Sequence, residues 1–116
     1  MNLINLTGIS VAYRSDGTLH HVDPSGWRLL APRSYIETGE YIGDVPICRV
    51  QHTLPDLPPP ETDTIYIVDP IIAAALQEHG VFRDDMIVSH GASAEKDDSG
   101  KVVATRRFVL ANPKED

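Results

Sequence analysis

Four apolar residues in a row, Ile65, Tyr66, Ile67 and Val68, followed at once by Asp69-Pro70, constrain this chain more than any other stretch. A strand with one wet face alternates apolar and polar side chains, so an unbroken run predicts a strand covered on both sides. Asp69 is a preferred N-cap, able to accept from the free amides of a first helical turn, and Pro70 suits the first helical position, where no backbone N–H is needed. Ile71, Ile72, Ala75 and Leu76 then recur at helical spacing, with Gln77 and Glu78 off the stripe and Gly80 as a left-handed terminus. A buried strand feeding a helix over residues 69–79 is expected, with His79 packed in its last turn, where the helix dipole favours a protonated ring.

The remaining segments read as short strands and turns. Residues 3–6 and 9–13 are apolar pieces separated by Thr7-Gly8, with Gly8 a candidate bulge, and Ser15-Asp16-Gly17 turns the chain back into residues 18–22. Asp23-Pro24-Ser25-Gly26 makes a second reversal, after which Trp27 is expected to anchor in the core. Residues 32–40 look irregular. Tyr41-Ile42, Gly43-Asp44 and residues 45–50 predict a hairpin in which Pro46 must sit where no ladder hydrogen bond is lost. Residues 54–61 hold four prolines and can be neither helix nor central strand. They form a stiff connector, or, in a functional reading, a ligand for an aromatic-lined groove. Residues 86–88 are a short buried strand, and a closing hairpin turns at residues 97–100 before a tail over residues 112–116 that should fray. The expected fold is α+β: a small, mostly antiparallel sheet or partly closed barrel of hairpins packed on the one main helix.

A chain of 116 residues is expected to be one domain, residues 1–116. Its net charge of −7 argues against nonspecific nucleic-acid binding, which draws its affinity from cations on phosphates. The single cysteine, Cys48, can form neither an internal disulfide nor a cysteine-rich metal site, and is expected as a small core residue. With no leader pattern and no apolar run approaching ~18 residues, no membrane association is expected, and the protein should be cytoplasmic.

The five histidines show neither an i, i+4 helical pair nor paired Cys/His spacing, so no metal site is predicted. Ser89-His90-Gly91 leaves a buried strand, where ligand groups often sit, but adjacent Ser and His cannot readily face each other as nucleophile and base. Nor does Gly8 or Gly91 have the companion glycines of a phosphate loop. No catalytic residue and no cofactor are assigned. The remaining constellation is cationic. Arg83 enters the late strand, and Arg106-Arg107 interrupt the last apolar run, where an extended chain would send them to opposite faces. A guanidinium there can pair with Asp84, Asp85 or Asp98, or clamp an anionic ligand bidentately.

In their order, these pieces resemble a family of small phage and actinobacterial proteins. The matching residues are Asn5-Leu6-Thr7, Pro24-Ser25-Gly26, Val45-Pro46-Ile47 with Arg49, Leu57-Pro58 leading into residues 64–68, Arg83 with Asp85, and the closing residues 98–103. Two places depart from it: Gly8-Ile9 replaces a Pro-His, and Ser89-His90-Gly91 replaces a Pro-Gly. The resemblance implies a phage-type accessory protein and names no activity. Three functions follow as expectations. The first is a non-catalytic binder, expected as a homo-oligomer in a host cytoplasm, that sequesters an anionic, nucleotide-like defence signal through Arg83, Arg106, Arg107, Ser89 and His90. The second is an acidic protein-binding inhibitor of a host factor, and the third an enzyme drawing on Asp84, Asp85, His79 and His90.

Overall fold

The structure is a computed structural model that describes residues 1–89 and 94–114. It is an α+β fold. The described residues form ten strands and one helix in the order β1 (Asn2–Asn5), β2 (Val11–Ser15), β3 (Thr18–Val22), β4 (Arg33–Ile42), β5 (Val45–His52), β6 (Thr64–Ile67), α1 (Pro70–Glu78), β7 (Arg83–Ser89), β8 (Glu95–Lys96), β9 (Val102–Ala104) and β10 (Phe108–Asn112).

The apolar run becomes the centre of the only sheet with more than two strands among the described residues, ordered β1-β6-β7-β10. Strand β6 is parallel to both neighbours, and β10 closes the sheet antiparallel to β7. The parallel step from β6 to β7 needs a long crossover, which α1 supplies. Tyr66, Ile67 and Val68 are 3%, 0% and 1% exposed, as an interior strand demands. The helix lays Ile72, Ala75 and Leu76 against Tyr66, Val68, Met86 and Ala111, and Leu6 and Leu29 extend the same core. Its end is held by Gly80 at φ +64°, with the Val81 N–H reaching back to the Leu76 carbonyl at 2.9 Å.

Three two-stranded ribbons stand beside this sheet, β2-β3, β4-β5 and β8-β9, and no described sheet closes into a barrel. The turn chemistry sets the first two. Asp16 and Gly17 both have positive φ, as a type I′ hairpin requires, while the β4-β5 turn has positive φ at Gly43 alone, as in type II′. In β8-β9, the Asp97 carboxylate accepts from the Ser99 and Lys101 amides and from the Ser99 hydroxyl.

Asn5 and Thr7 form a polar knot under the first ribbon. Asn5 Nδ2 donates to the Ile9 and Val22 carbonyls at 2.8 and 2.9 Å, and its Oδ1 accepts from the Thr7 amide and hydroxyl. The proline-rich connector lies on the body, its Leu54 and Leu57 packed on the core and its Pro59 carbonyl taking the Tyr66 hydroxyl at 3.0 Å.

Several expectations are corrected. Residues 33–40 are not irregular but the first strand of the longest hairpin, because Thr38-Gly39-Glu40 makes a bulge within β4 instead of ending it; Gly39 has φ +88° and the pairing shifts between Glu37 and Tyr41. Trp27 is 50% exposed, since the Ser25 side chain bonds the Trp27 backbone and holds it outside the bend; Leu29 enters the core in its place. Cys48 is exposed because β5 leaves the body. Gly8 is at a bend with no positive φ, and its missing Cβ leaves room for the Arg28 guanidinium, which a methyl there would meet at 2.9 Å. Asp69 occupies the N-cap position but makes no side-chain cap; its carboxylate accepts from Arg28 Nε at 3.3 Å.

Candidate functional site

Strand β7 separates the predicted ligand residues. Arg83 opens it and donates from Nε and Nη2 to the two Asp85 oxygens, both at 2.8 Å. Residues i and i+2 share a strand face, and the two side chains are only 12% and 18% exposed, so this guanidinium is taken up by an internal pair. Ser89 ends the same strand, roughly 20 Å away at a rise of about 3.3 Å per residue. Arg106 and Arg107 are exposed at the bend between β9 and β10, just before Phe108, which is paired with Ser89. They do not lie within a strand, so the opposite-face problem does not arise. The Thr105 hydroxyl fixes this bend by donating to the Arg107 carbonyl at 2.8 Å. Ser89, Arg106 and Arg107 thus share one end of the sheet, Arg83 lies at the other, and His90 falls outside the described residues.

Other cations are also occupied. Arg14 binds Glu95 through Nε and Nη2 at 2.8 and 3.1 Å, holding that carboxyl below its ordinary range, with further help from nearby Arg106. Arg28 and Asp69 face each other in an open cleft of ≈ 480 Å³ at the start of α1, so its positive and negative groups neutralise each other. Beside Ser89, residues of β2 and β9 line a smaller cavity of ≈ 130 Å³. No cluster of three or more metal-ligating side chains occurs among the described residues, and no described helix is long and apolar enough to cross a membrane.

The feature that residue-by-residue reading missed is β4-β5. Every residue of β4 is exposed, as is every residue of β5 up to Gln51. At ~3.3 Å per residue, the ribbon is about 33 Å long. The molecule measures 56 × 39 × 31 Å with a radius of gyration of 17.1 Å, against about 13 Å for a compact chain of this length. The arm is nevertheless not polar. Cross-strand pairing puts Tyr35 with Val50, Tyr41 with Pro46, and Cys48 on one face; Ile36, Ile42, Val45 and Ile47 occupy the other. Tyr35, Ile42 and Val45 are 67%, 74% and 62% exposed. Pro46 costs the ladder nothing, since Ile42–Val45 is the hydrogen-bonded pair that closes the two-residue turn and Tyr41–Pro46, the next pair out, is the non-hydrogen-bonded kind.

The root of the arm is clamped to the end of α1. Glu78 accepts from the His52 backbone N–H and from its Nδ1, both at 2.9 Å, and His79 Nε2 donates to the His52 carbonyl at 2.8 Å. The two bonds from His52 hold the Glu78 carboxyl below its ordinary value, the backbone bond most of all. His79 is therefore an exposed C-cap residue gripping the arm, and not a packed one. The sequence signal for an arm was two adjacent runs, residues 35–36 and 41–50, apolar on both strand faces.

Comparison of the chain with protein-family models, curated proteins and solved structures finds no match.

Proposed function

We propose that this chain is a non-catalytic accessory protein that acts by docking the β4-β5 arm on a protein surface. The observation that carries this reading is a ribbon apolar on both faces and standing clear of its own core. Two isolated strands are marginal in water, and such a ribbon combines unpaired edges with exposed apolar faces, a pairing that folds usually avoid unless a partner covers it. The resemblance to phage accessory proteins agrees with a binding role. Photo-crosslinking tests it: Tyr41→p-benzoyl-phenylalanine, irradiated in producing cells, should become attached to a protein chain, whereas the same residue at Thr62 on the body should not. Absence of any protein adduct at position 41 overturns the reading.

Sequestration of an anionic, nucleotide-like ligand is the second reading, supported by the location of Arg106, Arg107 and Ser89 at one sheet end beside a small cavity. Arg83 drops out of that site because Asp85 occupies it. Calorimetry with cyclic and ADP-ribose-derived nucleotides should then show binding that Arg106→Ala and Arg107→Ala weaken and Arg83→Ala does not.

A further inference from the structure

We infer that the surface covering the arm is the arm of a second copy of this chain, laid antiparallel about a two-fold axis. This rests on the arm being a docking element and adds the identity of its partner. Charge along the ribbon is ordered: the root half carries Arg33 and Arg49, and the tip half carries Glu37, Glu40 and Asp44. A strip that is positive at one end and negative at the other is complementary to itself when two copies run in opposite directions, because each root then faces the other's tip. Parallel pairing would oppose like charges along the whole length.

The distribution of charge over the molecule selects the same arrangement. Those five residues give the arm a formal net charge of −1, so −6 of the chain's −7 resides on the rest. Two bodies of that charge repel on close approach. Antiparallel arms set them at opposite ends of a ribbon about 33 Å long, well beyond a Debye length of about 8 Å at physiological salt. From their exposures, the large apolar side chains of either face of the arm offer on the order of 350 Å² per copy, an apolar centre to which the polar side chains of the same face add.

Sedimentation equilibrium over about 1 to 100 µM, which reads micromolar dissociation constants, tests the pairing. Wild type should be a dimer. Reversal of the root, Arg33→Glu with Arg49→Glu, should weaken dimerisation at least about tenfold, because both ends of each arm are then negative. Adding Glu37→Lys, Glu40→Lys and Asp44→Lys restores opposite polarity, and should return the constant to within about threefold of wild type. That rescue separates a charge effect from misfolding. A monomeric wild type, an unaffected root-reversed dimer, or no recovery in the fully reversed variant overturns the inference. A monomeric wild type whose position 41 still crosslinks to a different protein removes the second copy while leaving the arm as a docking element; no adduct at all removes both.

Discussion

Ile72 and Ile42 make a matched pair of probes, because Ile→Ala deletes the same carbons at each while the surroundings are opposite. Ile72 is 0% exposed against Leu76, Val68 and Met86, and Ile42 is 74% exposed near the arm tip. Truncating a core isoleucine loses the transfer energy of the deleted carbons and leaves a cavity, costing 2 to 5 kcal/mol; full burial places Ile72→Ala near about 3.5 kcal/mol. At Ile42 only about a quarter of the side chain is withdrawn from water within one chain, so at about 25 cal/mol/Å² the loss stays under about 1 kcal/mol. With a urea m-value of about 1.5 kcal/mol/M, the midpoint should fall by about 2.3 M for Ile72→Ala and by less than about 0.7 M for Ile42→Ala. The assay is urea unfolding followed by far-ultraviolet circular dichroism on dilute protein, so that association adds nothing. Equal midpoint shifts would refute the reasoning, since the arm would then be packed against its own body.

Two further outcomes follow from side-chain partners. Asp69→Ala should cost less than about 1 kcal/mol, because the carboxylate serves a half-exposed Arg28 and does not cap α1; a loss near 2 kcal/mol in urea would show a capping bond after all. Glu78 has a folded-state pKa below its ordinary 4.5, so its bonds to His52 stabilise the fold above that value and are lost as pH falls through the folded pKa. Glu78→Gln should therefore flatten the acid side of the stability profile below pH 4.5, measured as urea midpoints; parallel profiles would mean the clamp is not made.

Residues 64–80 were legible because every local signal agreed: an apolar run, Asp-Pro at the helix start, a helical stripe and a terminal glycine. The order β1-β6-β7 was not, since nothing in residues 2–5 states that they pair parallel with a strand some sixty positions later. Trp27 and Cys48 were misplaced by residue type, which reports how often such side chains are buried and not where the bend at Ser25 or the departure of β5 takes them. Residues 32–40 read as irregular because a bulge such as Thr38-Gly39-Glu40 and a loop use the same residue types. Arg83 was half legible: both its pairing with Asp85 and a ligand role were open, and only the 2.8 Å fork decides for the pair. The arm is the instructive case. Its apolar residues on both faces are a pattern of burial, yet the fold leaves them exposed, because a sequence pattern reports side-chain character and not where the strand is carried.

Amide hydrogen exchange, read by mass spectrometry over a dilution series, addresses the docking of the arm most directly. Peptides from β6, α1 and β7 should stay protected at every concentration, while those covering residues 34–51 should be protected in concentrated protein and exchange rapidly on dilution, as the outward amides of an undocked two-stranded ribbon must. Arm peptides that exchange rapidly at all concentrations would contradict the pairing of two arms, and ones that remain as protected as β6 at the lowest would contradict an arm that stands clear of its own body.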